Sequence, residues 1–146
     1  MRISATLALL TILSISTFGQ TKDNGQPLLD KFFETYKSKG HEDALNFAFS
    51  TVKWINADGD EVKNLKFELD KIVNLVGNYI GHEEISSKMV GSRFRAASYF
   101  AYYDRQPLRF TFLLYKNNDG WMIWNIQFDT NYDDEIEEAI KLTDKK

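Results

Sequence analysis

Residues 107–128 read PLRFTFLLYKNNDGWMIWNIQF. Leu108, Phe110, Phe112 and Leu114 alternate with Arg109, Thr111, Leu113 and Tyr115. A period of two is the mark of a strand, because successive side chains point to opposite faces. Asn117-Asn118-Asp119-Gly120 is a hairpin turn signal. Trp121 to Phe128 then forms the returning strand, with Met122, Trp124, Ile126 and Phe128 on one face. At strict period two, that apolar face meets the core and Trp124 is buried, while Trp121 turns the other way with Asn125 and Gln127.

The same period extends upstream to Gly77. Pro107 to Lys116 is preceded by a strand over Ser92–Tyr103, with Phe94, Ala96, Ser98, Phe100 and Tyr102 on one face, and by another over Tyr79–Val90. The short links favour an antiparallel meander. Before Gly77 the period is helical. Pro27 opens a first helix carrying Leu28, Leu29, Phe32, Phe33 and Tyr36, and Gly40 ends it. A second helix is expected from Glu42 to Ile55, with Ala44, Leu45, Ala48, Phe49 and Val52 as its stripe. After Asn56-Ala57-Asp58-Gly59, a third runs from Asp60 to Val76 on Val62, Leu65, Leu69, Ile72, Val73 and Val76. Asp133 to Leu142 forms a last short helix, with acids in its first turn and Ile136 and Ile140 as apolar contacts. The expected fold is α+β: N-terminal helices packed on a curved four-stranded antiparallel sheet, followed by a short C-terminal helix.

The other end of the chain carries a different signal. Arg2 precedes an uncharged apolar run, Ile3 to Phe18, and Thr17-Phe18-Gly19-Gln20 supplies small residues for a peptidase. This order predicts a cleaved signal peptide over 1–19. A spanning helix needs about 20 apolar residues, and Ser14, Ser16 and Thr17 interrupt this run. Residues 20–26 read as a flexible lead-in and 27–146 as a single domain. The expected location is periplasmic or secreted, with no stable membrane anchor.

Composition narrows the chemistry. The 146 residues include no cysteine, which excludes disulfide staples, thiol catalysis and a cysteine-linked lipid. Eighteen basic residues stand against 21 acidic ones, and loss of Arg2 with the leader leaves 17 against 21, or −4. A mildly acidic domain has no electrostatic reason to bind nucleic acid or an anionic membrane. His82-Glu83-Glu84 begins like a zinc helix signature, but Ser86 stands where the second histidine belongs. Asp129, Asn131 and Asp133 alternate like calcium ligands, yet Asp134 replaces the required glycine and Ile140 the required glutamate. That segment reads better as the acidic first turn of a helix. No phosphate loop or nucleophile elbow is present. Asp104 and Asp129, at strand ends, are better suited to shaping turns than to acid–base work. No metal, cofactor or catalytic residue is assigned.

The aromatic residues of the strands remain. Tyr99, Tyr102, Tyr103, Phe110, Phe112, Tyr115, Trp121, Trp124 and Phe128 crowd one half of the chain, and most aromatic side chains serve packing. Arg93, Arg95 and Arg109 lie near them, suited either to an anionic group or to guarding sheet edges against aggregation. From this set Tyr99, Tyr103, Arg109 and Trp121 are the candidate ligand-binding residues.

Leu29-Asp30-Lys31-Phe32-Phe33 opens the helical half and Gly120-Trp121-Met122-Ile123-Trp124-Asn125-Ile126 closes the sheet. In element order and texture, from Pro27 to Asp129, the chain resembles the nuclear transport factor 2-like superfamily, the cystatin-like cone. The resemblance implies a sheet wrapped around helices with a pocket at the wide end of the cone. It does not settle function, since such folds serve enzymes, binding modules and assembly domains alike. The expectation is an exported, non-enzymatic module binding a small molecule or a protein partner. Two alternatives stay open: a small pocket enzyme, with Asp104, Asp129 or a tyrosine as acid or base, and a domain that homodimerises through its sheet face.

Overall fold

A computed structural model describes residues 23–143; the stretch 1–19 read as a signal peptide lies outside them. Helices α1 (Gln26–Lys39), α2 (His41–Ser50) and α3 (Asp60–Val76) precede strands β1 (Tyr79–Val90), β2 (Phe94–Tyr103), β3 (Leu108–Lys116) and β4 (Trp121–Asp129). Helix α4 (Asp133–Thr143) follows. The strands form one open antiparallel sheet in the order β1-β2-β3-β4. The fold is α+β, with helices laid on a curved sheet.

The core is the meeting of the α1 stripe with the inner sheet face. Leu29, Phe32, Phe33 and Tyr36 are buried on α1, and they oppose buried Ala97, Tyr99, Ala101, Tyr103, Leu108, Phe110, Phe112 and Leu114. Phe32 meets Phe112 edge-on at 5.0 Å between ring centroids, and Phe33 lies 4.9 Å from Tyr99. Each such side chain removed from water contributes about 1.5–3 kcal/mol. The described residues just before α1 touch β3 and β4. Lys116 pairs with Asp23 at 2.6 Å. Gly25 has φ 78, and a Cβ there would come within 3.1 Å of the Trp121 ring, so conformation and contact both call for glycine.

Two expectations about local structure are overturned. First, α2 stops at Ser50 rather than Ile55. The Ser50 hydroxyl donates to the Phe47 carbonyl at 2.6 Å and that of Thr51 to the Ala48 carbonyl at 2.7 Å. Such local bonds, with β-branched Thr51 and Val52 following, compete with helix continuation. The chain turns, and Lys53 to Gly59 becomes a loop beside β4. Second, β4 does not keep period two. Leu113 pairs with Asn125 but Leu114 pairs with Ile123, so Trp124 is the extra residue of a β-bulge. The bulge reverses parity. Ile123, Ile126 and Phe128 stand opposite inner-face Leu114, Phe112 and Phe110, and Trp121 shares that face. Trp124 is 47 % exposed, so its expected burial is wrong.

The β2 series Phe94, Ala96, Ser98, Phe100 and Tyr102 shares one face, as its alternation implies, and that face is the outer one; Arg95 points inward and is 2 % exposed. The apolar contacts expected on the last helix are not made. On α4, Ile136 and Ile140 remain exposed. The helix is tied to the sheet by Arg109, which pairs with Glu135, and by Tyr132, whose ring meets Phe100 at 5.6 Å.

Candidate functional site

The early end of α2 and the bulge in β4 together build a cleft. The loop after α2 crosses beside β4, the edge strand, and the Ile123 amide donates to the Thr51 hydroxyl at 2.9 Å. α3 then begins on the far side of the loop. The space between has a volume of about 590 Å³, within the range of about 300–1,000 Å³ usual for small-molecule sites. Ala48, Val62, Leu65, Ile123 and Ile126 supply its apolar walls, with Phe49 and Ile55 beside them. Trp54 from the loop and Trp124 from the bulge stand together, ring centroids 6.1 Å apart and planes inclined by 59°. They are 59 % and 47 % exposed.

The polar groups sit at the rim. Asn56, Asp60, Glu61 and Asn125 are all exposed and all border the cleft. Asn56 shapes the loop by accepting the Asp58 amide at 3.0 Å. Asp60 and Glu61 form the first turn of α3, where the helix dipole favours negative charge. Among the described residues lining the cleft there is no lysine, arginine or histidine. Lys53, next to Trp54, is engaged by Asp119 at 2.8 Å.

The four candidate residues read from the sequence lie elsewhere, and they do not share one cavity. Tyr99 belongs to a polar network on the β1 side. Its hydroxyl donates to Glu84 at 2.7 Å, while Arg95 donates to Glu84 at 2.9 Å, to Gln26 at 2.7 Å and to Ser87 at 2.9 Å. Burial first, then the Glu84 hydrogen bond, pushes the Tyr99 phenol up to about 12. Tyr103 is buried deeper and shares a short hydrogen bond with Tyr36; burial drives both phenols far above the ordinary range. Tyr79 borders this pair, with its ring 4.9 Å from that of Tyr36, and burial raises its phenol to about 12. Tyr79 also shares a 2.8 Å hydrogen bond with His82, whose ring stacks on Phe33 at 3.9 Å and whose pKa burial lowers. Arg109 stands on the outer face and is neutralised by Asp129 at 3.1 Å and by Glu135. Trp121 packs on the inner face under Gly25, with Lys116 over its ring at 5.8 Å.

The remaining residues singled out in the sequence have local partners. Asp104 accepts the Asn78 amide at 2.7 Å and its side-chain amide at 2.9 Å, and so closes the turn between β2 and β3 onto the start of β1. Asp129 accepts the Asn131 amide at 2.8 Å. His41 approaches Asp70 at 3.2 Å. Arg93 donates to the Lys116 carbonyl at 3.2 Å.

Trp54, Asn56, Asp60, Glu61 and Trp124 were not recognised as a group in the sequence. One signal was available. Trp54 falls outside the stripe of the second helix, and the hydroxyl-bearing, β-branched run Ser50-Thr51-Val52 favours a stop before it. The bulge that turns Trp124 outward has no such local mark. The fold and site thus define an α+β domain with an open sheet and a lateral apolar cleft. Comparisons with protein-family models, curated proteins and solved structures found no match.

Proposed function

We propose that this protein is an exported, non-enzymatic binding module that takes a small apolar ligand in the cleft between α2, α3 and β4. The observation that carries the reading is the Trp54–Trp124 pair, two half-exposed indoles on the wall of an apolar cleft. Covering that surface gains about 25 cal/mol per Å² of apolar area removed from water. The charged, apolar and small order of residues 1–19 supports a periplasmic or secreted location. The helix-then-meander order supports affiliation with the nuclear transport factor 2-like superfamily. An enzyme would need a carboxylate buried among apolar groups to shift its acidity, and the carboxylates of this cleft stand exposed on its rim.

One observation favours a second reading, a homodimer through the sheet. The half of the outer face not reached by α4 exposes Val90, Phe94, Leu113 and Trp124. Sedimentation over a range of protein concentrations separates the two: a ligand module stays monomeric, and a dimer dissociates on dilution.

The cleft itself is tested with Nile red, a neutral apolar dye. Saturable binding with one site per chain is expected. It should be lost when Leu65→Trp fills the cleft and weakened by Trp54→Ala. Absence of saturable binding, or binding indifferent to both substitutions, would overturn the reading.

A further inference from the structure

We infer that the cleft selects a small ligand carrying a positive charge beside an apolar body, such as an aryl-alkyl amine. This rests on the binding reading above and names the class of ligand. Three observations converge on it. Trp54 and Trp124 line the cleft as neighbouring half-exposed indoles, and the negative faces of indoles attract a cation within about 6 Å of the ring centroid. The rim carries two carboxylates, Asp60 and Glu61, and among the described residues neither is engaged in an ion pair. Among the described residues, the lining contains no cationic side chain that would repel such a ligand or neutralise those acids.

An anionic ligand is disfavoured by the same geometry. The amino terminus of α3 would ordinarily draw an anion through its dipole and free amides. Here Asp60 and Glu61 occupy that first turn and bring their own negative charge. A carboxylate or phosphate entering the cleft would meet two like charges. A neutral ligand would gain the apolar contact but leave the carboxylates unused.

The test is calorimetric titration of the protein with three compounds that share one apolar body: 4-phenylbutylamine as its ammonium, 4-phenylbutanol and 4-phenylbutanoate. The ammonium should bind roughly tenfold more tightly than the alcohol, from cation–π attraction and the exposed carboxylates. The carboxylate should bind weakest. The Asp60→Asn, Glu61→Gln double variant should bring the affinity of the ammonium close to that of the alcohol. Added salt should narrow the same gap, since exposed charges are screened. Equal or tighter binding of the alcohol or the carboxylate overturns charge selection while the cleft remains a binding site. Failure of all three to bind overturns the inference together with the reading on which it rests.

Discussion

The two flanks of the sheet solve the same problem in opposite ways. On the β1 flank the gap between helix and sheet is filled. Phe32, Phe33 and Tyr36 interlock with Tyr99, Phe110 and Phe112, and buried Arg95 is satisfied by Glu84, Gln26 and Ser87. On the β4 flank the gap is left open. Of its apolar groups, the helix α3 presents only Val62 and Leu65 to it, and the large groups Trp54, on a loop, and Trp124, at the bulge, stay 59 % and 47 % exposed. A filled, fully hydrogen-bonded interface specifies structure. An open one lined by apolar groups keeps surface available for a ligand. The difference teaches that tight packing and open apolar surface are kept apart in this small domain.

Substitutions on the two flanks should therefore behave differently. The largest loss is expected for Phe112→Ala, in a fully buried ring contact, at about 3–5 kcal/mol in denaturant unfolding. A loss below that of Trp54→Ala would break the comparison. Next comes Arg95→Ala, which removes the partner of the Gln26 carbonyl and leaves the partly exposed Glu84 with the Tyr99 hydroxyl; about 2–3 kcal/mol is expected. A double-mutant cycle with Glu84→Gln should show strong coupling, and additivity would mean that the network is not a unit.

The buried phenols come third. Tyr103→Phe removes one partner of the Tyr36 hydrogen bond and should cost about 1–2 kcal/mol. The same cluster predicts alkaline sensitivity. Folding raises the Tyr79 and Tyr99 phenols from 10.0 to about 12. A raised pKa means stabilisation that is complete below the unfolded value and lost as pH climbs through the folded one. Unfolding between pH 10 and 12 should thus accompany the appearance of phenolate absorbance. Ionisation of Tyr79 or Tyr99, assigned by Tyr→Phe variants, near pH 10 in a still-folded protein would contradict the burial. Smallest of all is Trp124→Ala, expected within about 1 kcal/mol because the ring is an exposed surface group. It should fall well below Trp121→Ala, since Trp121 packs against the core. The reverse order would restore unbroken period two in β4 and remove one wall of the cleft.

Much of the molecule could be read from local pattern. The limits of α3, Asp60–Val76, and of β1, Tyr79–Val90, match those expected from periodicity, because change of period and flanking glycines are properties of consecutive residues. The α1 stripe Leu29, Phe32, Phe33 and Tyr36 was legible for the same reason. The site was not. Tyr99, Tyr103, Arg109 and Trp121 drew attention as aromatic or charged residues in strands, yet each is engaged in a different part of the fold.

The sequence by itself determined the order of elements, the α1–sheet core and the lack of any cysteine-based chemistry, because each follows from residue type and short-range spacing. Tertiary structure alone decided which face Trp124 presents and what stands beside it. A bulge depends on how two strands fit one another over a curved sheet, and one inserted residue inverts the facing of every residue beyond it. The pairing of Trp124 with Trp54, 70 positions away in the chain, and the placing of Asp60 and Glu61 at the same rim follow from where the loop after α2 is carried. That path is fixed by packing against β4, which no local pattern records.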